Sequence, residues 1–156
     1  MPLHVYLPQD RRRALANHST LPDRASGAAL FADISGFTAL TESLREKLGV
    51  RLGAEELNTQ LGAVYSALIT EVEKYGGSVI GFAGDAMMCW FDNQISAFNK
   101  DGSVLAMACA FGMQAAIRAF PTLALKVAIA TGTARRFVVG DPDVQLLDVL
   151  VGSFNL

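Results

Sequence analysis

Two aspartates of this chain stand where apolar segments end, a position in which a carboxylate can meet a ligand. Asp33 lies near the end of an apolar run at residues 28–34, and Asp85 lies in a turn between apolar runs at 78–82 and 86–91. Each also has an ordinary structural interpretation, since Asp33 could cap a following helix and Asp85 could be a simple turn residue. The two make a site only if the fold brings them together.

The hydrophobic pattern predicts the elements that carry these aspartates. The run at 28–34 is too short for a helix and predicts a strand, and the two runs around Asp85 predict a β-hairpin. Between them, apolar residues at spacings of three and four predict two helices, one ended by Gly49 and one closed by the glycines at 76–77. Beyond these, the sequence predicts a short helix at 9–17, a loop at 92–102, a helix from 104 to before Pro121, two strands (123–130 and 137–139) around Thr131 and Gly132, and a last apolar run at 146–151 that stops at Gly152.

The order β-α-α-β-β-α-β-β is that of an α+β fold with a ferredoxin-like, split βαβ sheet, mostly antiparallel, on which the helices pack. In such a sheet the first two strands run parallel and the third lies between them. Asp33 and the turn that holds Asp85 should therefore share one edge. Two carboxylates so close repel each other and raise one pKa unless a cation lies between them, and their hard oxygens suit Mg²⁺ or Mn²⁺ bound together with substrate phosphates.

The segment Ser35, Gly36, Phe37 and Thr38 crosses from the first strand into the first long helix. Its backbone N–H groups belong to a helix N-terminus, which favours an anion, and Gly36 allows the backbone to approach a ligand closely. Carboxylates for metal ions beside a helix N-terminus for phosphates predict a site for a nucleoside triphosphate.

Length and composition limit the other functions open to the chain. Its 156 residues leave room for one domain, which we place at 28–156 behind a lead-in segment at 1–27, and 51% hydrophobic residues are ample for a core. A formal net charge of −2 argues against a nucleic-acid-binding surface. The two cysteines, Cys89 and Cys109, lie in apolar runs and predict buried thiols in a reducing compartment. The pattern shows neither a long apolar span nor a signal core, so we expect a cytoplasmic protein without a membrane span.

Two longer motifs make a family resemblance specific. FADISGFT at 31–38 and GGSVIGFAGDA at 76–86 resemble the two metal-site motifs of class III nucleotidyl cyclases, while KVAIATG at 126–132 and VGDP at 139–142 resemble later strands of that domain. The similarity covers residues 28–156. It is closest to the first cyclase domain of soluble, bicarbonate-responsive type adenylyl cyclases and of their bacterial tandem relatives.

The resemblance implies the metal-dependent cyclisation of a nucleotide. Asp33 and Asp85 would hold two Mg²⁺ or Mn²⁺ ions with help from the Ile34 carbonyl, and residues 35–38 would cradle the phosphates. Lys126 aligns with a basic residue that contacts phosphate in relatives, although a strand lysine that extends to solvent is an equal alternative. The 3′-hydroxyl of ATP would attack the α-phosphorus and release pyrophosphate, giving cyclic AMP.

The chain departs from the family pattern where relatives recognise the base. Relatives that use ATP carry a lysine at the position of Gly81 and an aspartate or threonine at that of Val149, whereas Asp148 is adjacent but should face the other side of its strand. Relatives also complete the site across a homodimer or a tandem heterodimer, with an asparagine and an arginine expected after Gly152. We therefore expect the C-terminal part of the domain to be missing here and a partner cyclase domain to be required.

Three functions compete for these patterns. The intact aspartate pair favours a cyclase domain, whereas Gly81 and Val149 favour a catalytically degenerate domain that binds metal–nucleotide and regulates an active partner. A diguanylate cyclase is the third, and it is disfavoured because the Gly-Gly-Glu-Glu/Asp-Phe hairpin signature is absent at residues 83–86.

Overall fold

The backbone forms a five-stranded antiparallel sheet in a computed structural model that describes residues 7–94, 100–141 and 145–155. Its elements are α1 (Gln9–Ala16), β1 (Arg24–Ser35), α2 (Phe37–Lys74), β2 (Ser78–Ala83), β3 (Ala86–Asp92), α3 (Gly102–Ala116) with a 3₁₀ turn (Ile117–Ala119), β4 (Ala124–Asp141) and β5 (Gln145–Asn155). The strand order is β2-β3-β1-β4-β5, and every neighbouring pair is antiparallel. The first two strands thus run parallel with the third between them, which confirms the predicted α+β, split βαβ sheet.

The predicted break between the first two helices is confirmed as a kink inside α2. Gly49 has φ +79° and ψ 174°, a conformation outside the helical region that glycine adopts without steric cost. The helix then continues to Lys74 and closes as predicted, because the Gly77 N–H donates to the Val72 carbonyl at 2.9 Å and Gly76 takes a positive φ of 76°.

Two strand boundaries predicted from local turn residues are wrong. Thr131 and Gly132 do not separate two strands, because β1 begins at Arg24, ahead of the predicted residue 28, and pairs with β4 straight through them. Gly152 does not end the last strand, since it pairs with Ala134 inside β5. In both places pairing with a neighbouring strand outweighs the local preference for a turn.

One face of the sheet packs against α2 and α3 and forms the main core. Leu30 and Ile34 of β1 and Phe91 of β3 point into it and are at most 1% exposed. Cys89 and Cys109 are buried there as free thiols, as predicted, and burial raises the pKa of Cys109 to about 12. We call the opposite side of the sheet the open face.

The open face carries a smaller apolar cluster and most of the polar residues of interest. Its buried members are Ala25, Ala29, Trp90 and Ala134, which lie at the end of the sheet where β1 begins. Along each strand, side chains alternate between the main core and the open face. Asp33 alternates with buried Ile34 and therefore belongs to the open face.

One helical stretch in the described part of the chain, residues 102–119, reaches the length and composition of a membrane span. Within it, Leu105, Cys109 and Met113 of α3 are buried in the main core. A core helix passes the same test of length and hydropathy, so the expected lack of a membrane span stays a prediction.

Candidate functional site

The register of β1 against β3 brings the two predicted metal ligands to one end of the sheet. Asp33 is paired with Ala86, the residue that follows Asp85, and the Ile34 N–H donates to the Asp85 carbonyl oxygen at 3.4 Å. The Ile34 side chain is fully buried, so only its backbone can serve a ligand. Asp33 is half-buried and Asp85 is exposed, which leaves both carboxylates accessible to a cation from solvent.

The helix that begins beside Asp33 starts at a glycine whose conformation the site requires. Gly36 is the N-cap of α2 with φ +105°, and a Cβ there would lie 2.5 Å from the Thr122 carbonyl oxygen, so a larger residue would clash. Within the described residues no side chain caps this helix, which excludes the interpretation of Asp33 as its cap. The Gly36 carbonyl accepts the Leu40 N–H at 3.0 Å and so begins the helical ladder.

The first turn of α2 is suited to an anion. It contains no acidic residue, and its first backbone N–H groups have no helical partner. Thr38 is exposed, while Phe37 packs partly against the main core and anchors the turn. The Ser35 hydroxyl lies 3.5 Å from the Ala124 carbonyl, a long contact that leaves it able to bond elsewhere.

Lys126 lies on the other side of Asp33. The two are directly paired across β1 and β4, so their side chains leave the same face of the sheet as close neighbours. Lys126 is exposed, and no ion pair within 4.0 Å joins it to Asp33 in the part of the chain that the structure describes. Its ammonium group is thus available to a phosphate held at the neighbouring helix N-terminus.

Tyr65 is a residue of this region that the sequence pattern missed. It stands one position after the core residue Val64 on α2, and its ring meets Phe82 of β2 edge-on, with centroids 5.3 Å apart. Burial raises the pKa of the Tyr65 phenol, and the negative charge of Asp85 raises it further. A lone aromatic residue just off the apolar stripe was the available signal for a contact with the hairpin.

The residues predicted to replace a base-recognition pair lie on the two outer strands, with three strands between them. Gly81 is in β2 at a bulge opposite β3, and Val149 pairs with Phe137 in β5. A Cβ at Gly81 would meet only the Met88 side chain, at an ordinary 3.4 Å, so a larger residue has room there. Asp148 pairs with Val138 through its backbone, and its side chain lies outside the described part of the structure.

The donor set fits a cation that is shared with a substrate. Among the described residues no group of three or more histidine, cysteine or acidic side chains could hold a metal alone. Two carboxylates with a backbone carbonyl nearby instead match Mg²⁺, which proteins commonly bind through one or two carboxylates while substrate phosphates complete the shell.

Comparison by sequence finds adenylyl cyclases. The chain is 41% identical over 66 residues to adenylate cyclase type 10 of Oryctolagus cuniculus and of Homo sapiens, and 40% over 72 residues to that of Rattus norvegicus. These matches cover 42–43% of the chain, which spans about 4% of the length of those relatives. No family model matches the chain. The resemblance to soluble type adenylyl cyclases is confirmed.

Comparison by structure decides the fold. The chain matches a bacterial light-regulated adenylyl cyclase with a TM-score of 0.75 and 20% identity, over 96% of this chain and 44% of the other. The chain has the class III cyclase fold. A guanylyl cyclase crystal structure (TM-score 0.66, 24% identity) and the guanylate cyclase domain of RhGC from Catenaria anguillulae in complex with GTP (0.62, 18%) each match 84% of this chain, over 66% and 69% of their own lengths.

Proposed function

We propose that this chain is the metal-binding half of a nucleotidyl cyclase site that converts ATP to cyclic AMP and pyrophosphate. The observation that carries the proposal is the β1–β3 register, which sets Asp33 beside the turn of Asp85. A glycine-initiated helix N-terminus and Lys126, which has no ion pair among the described residues, flank that register at the same end of the sheet. Carboxylates, N–H groups and an ammonium group together suit a metal–triphosphate.

In this proposal each residue has one task. Asp33, Asp85 and the Ile34 carbonyl would hold two Mg²⁺ or Mn²⁺ ions, whose charge would lower the pKa of the ribose 3′-hydroxyl and offset the charge of the leaving group. The N–H groups and hydroxyls of residues 35–38 bind phosphate oxygens, and Lys126 neutralises them from β4. The 3′-oxygen loses its proton to water and bonds to the α-phosphorus, while the bond from that phosphorus to the β-phosphate oxygen breaks and pyrophosphate leaves.

A second cyclase domain, as a homodimer or a tandem heterodimer, completes the proposed site. The open face beside the aspartates supports such a partner, because Phe31 of β1 is 45% exposed there. Exposed aromatic surface next to a polar site is typical of an interface. The partner supplies the asparagine and arginine that stabilise the transition state, and the pair acts in cyclic-nucleotide signalling in the cytoplasm, without nucleic acid or a membrane span.

A regulatory role for the chain is the second candidate. It is favoured by one observation: neither Gly81 nor Val149 offers a group that can bond a base edge, although the space at Gly81 would accept a larger side chain. A degenerate domain of this kind would bind metal–nucleotide and modulate an active partner. The same positions leave the choice between ATP and GTP to the partner's side chains.

A complementation assay separates the two candidates. The chain is mixed with a class III cyclase domain that keeps its own asparagine and arginine but has lost both metal aspartates. Cyclic AMP from Mn²⁺–ATP should form only in the mixture, since each half then lacks what the other supplies. The variants Asp33→Asn and Asp85→Asn should abolish it, whereas Glu46→Gln on the exposed surface of α2 should not.

Two results would oppose the cyclase proposal. Turnover by the mixture that survives Asp33→Asn would show that other groups hold the metal. If the mixture is inactive while the chain changes the rate of an intact partner, the regulatory candidate is favoured instead.

A further inference from the structure

Helix α1 lies across the end of the open face opposite the aspartate site, and polar contacts hold it there. Gln9 spans two elements, since its amide nitrogen donates to Glu73 at 3.0 Å and its amide oxygen accepts the Val79 N–H at 2.9 Å. Arg13 donates to the Gly76 carbonyl at 2.9 Å. The apolar contribution is small, because Ala14 is the buried hydrophobic residue of α1 while its Leu15 is 58% exposed.

The centre of this contact is a buried ion pair between Asp10 of α1 and Arg136 of β4. Both side chains are about 5% exposed (6% and 5%), and the Asp10 N–H donates to the Ser78 hydroxyl at 2.8 Å. The pair is incompletely bonded: in the described part of the chain, Asp10 Oδ2 and Arg136 Nε and Nη2 have no hydrogen bond of good geometry. A buried pair of this kind adds little net stability compared with apolar side chains of the same size.

Arg136 lies at the base of a projecting two-stranded ribbon. Its contact with Asp10 therefore influences the direction of the whole ribbon. The pairing of β1 with β4 ends at Arg135, and the Arg136 N–H still donates to the Asp23 carbonyl at 2.9 Å. Beyond that point, in the described part of the chain, residues 137–141 pair only with residues 145–149, and we call this ribbon the outer hairpin. A two-stranded ribbon has little stability of its own, so its direction depends on how its base is held. The segment before β1 holds that base twice, through the Asp10 carboxylate and the Asp23 carbonyl.

We propose that α1 is a releasable latch that fixes the outer hairpin through the Asp10–Arg136 pair. An eight-residue helix does not persist in water alone, so release and unfolding of α1 are one event. The polar contact makes that event accessible, because on release both charges return to water. Release frees the base of the outer hairpin and so loosens residues 137–141. The latch does not depend on the proposed cyclase function.

The chain carries its own reporter for this event. Trp90 is the single tryptophan, is 2% exposed, and lies in the open-face cluster that also lines the α1 contact. Its Nε1–H donates to the Asp92 carboxylate at 3.3 Å, a bond within β3 that survives when α1 leaves. Quenching of its fluorescence by acrylamide therefore measures how often α1 is released.

The test compares Asp10→Asn with Arg12→Gln in the 156-residue chain. Asp10→Asn leaves Arg136 buried without a counter-charge, so quenching of Trp90 should rise at least about twofold and amide exchange should quicken in residues 137–141 as well as in α1. Arg12→Gln removes the exposed Arg12–Glu73 pair of the same helix and should change neither. Exchange in the core of β1 and β3 should stay slow in both.

Two further variants keep the proposal open to refutation if Asp10→Asn folds poorly. Ser78→Ala removes only the acceptor of the Asp10 N–H and should give the same pattern more weakly. The double variant Asp10→Leu with Arg136→Met should close the latch again, since an apolar pair can replace a buried ion pair. The latch would be overturned if quenching of Trp90 were unchanged in both Asp10→Asn and Ser78→Ala. It would also be overturned if amide exchange became faster in α1 but not in the outer hairpin.

Discussion

Two aspartate–cation arrangements occupy opposite ends of the open face, and they differ in almost every physical respect. Asp10 and Arg136 are buried, come from distant parts of the chain and form an ion pair. Asp33 and Lys126 are neighbours across two strands, are accessible, and form no ion pair among the described residues. An aspartate beside a basic side chain thus holds α1 in place at one end, whereas at the other end the two charges stay apart.

The difference shows how a fold can separate charges that make structural contacts from charges that are proposed to bind a ligand. Removing two charges from water costs several kcal/mol per ion, so a buried pair persists only where the two groups face each other. An exposed carboxylate and ammonium lose little when they stay apart, and they keep their full charge for a ligand. The open site therefore costs little stability in its empty state and gains its order from the metal–nucleotide that it is proposed to bind.

The largest contrast should appear in stability. Asp10→Asn should lower the free energy of unfolding by roughly 1–3 kcal/mol, the release of α1 limiting the cost of an unpaired Arg136. Asp33→Asn should change it by no more than about 0.5 kcal/mol, as expected for an accessible side chain that makes no hydrogen bond or ion pair with the described residues. Urea unfolding followed by circular dichroism measures both. Equal losses would show that Asp33 is structural.

For the affinity for a metal–triphosphate, substitution of Asp33 should have the larger effect and substitution of Asp10 the smaller one. Asp33→Asn and Asp85→Asn should each weaken binding of Mn²⁺ with a non-hydrolysable ATP analogue at least about tenfold, or 1.4 kcal/mol. Asp10→Asn should leave the affinity within about twofold. Titration calorimetry on the folded variants measures these affinities. Unchanged affinity in either site variant removes that aspartate from the metal site.

Lys126 should have a smaller effect, and one that identifies its ligand. Lys126→Gln should weaken binding of the triphosphate analogue about threefold to tenfold, because a charged hydrogen bond at an accessible site is lost. The affinity for Mn²⁺ alone should not fall, since removal of a neighbouring positive charge favours a cation. If both affinities are unchanged, Lys126 simply extends into solvent.

The identity of the nucleotide base should have a smaller effect on binding than these substitutions. With Gly81 and Val149 unable to bond a base edge, ATP and GTP analogues should bind this chain within about tenfold of each other. Competition between the two analogues for the Mn²⁺-loaded chain measures the ratio. A hundredfold preference for ATP would mean that another residue of this chain recognises the adenine.

These two regions were not equally predictable from the sequence. The aspartate site depends on strand order and on residues at strand ends, and both follow from local hydrophobic patterns, so the shared edge of Asp33 and Asp85 was predicted correctly. The Asp10–Arg136 pair joins residues from opposite ends of the chain, and no local pattern records it. Nor does a local pattern record that Arg13 of α1 donates to the Gly76 carbonyl.

The strand errors have the same origin. A Thr-Gly pair favours a turn locally, but the register of β1 against β4 extends through Thr131 and Gly132. Tyr65 was missed because an apolar stripe records which residues face the core and not which of their neighbours reach a hairpin. Local hydrophobic patterns therefore predicted most helices and strands. The strand boundaries and the Asp10–Arg136 pair depend on contacts between distant elements, which those patterns do not record.

The smallest predicted effect concerns Tyr65, which is placed to sense the charge at Asp85. The pKa of its phenol is raised first by burial and then by the Asp85 carboxylate. A cation bound at Asp85 offsets that negative charge, and Asp85→Asn removes it, so each should lower the pKa of Tyr65. Burial is unchanged by either, so the pKa should remain above the ordinary value of 10.0.

Ultraviolet absorbance of tyrosinate measures the shift, with Tyr65→Phe to assign it among the three tyrosines of the chain. Mg²⁺ should move the titration of Tyr65 to lower pH in the parent chain but not in Asp85→Asn, because that variant has already lost the charge and the ligand.

The raised pKa of the Tyr65 phenol also affects stability, because the unfolded chain loses this proton at a lower pH than the folded chain does. The contribution of Tyr65 to stability is therefore complete below the ordinary pKa and is lost as the pH rises through the pKa of the folded state. Mg²⁺ should reduce that alkaline loss. A titration of Tyr65 that ignores both Mg²⁺ and Asp85→Asn would remove the electrostatic link between the hairpin turn and α2.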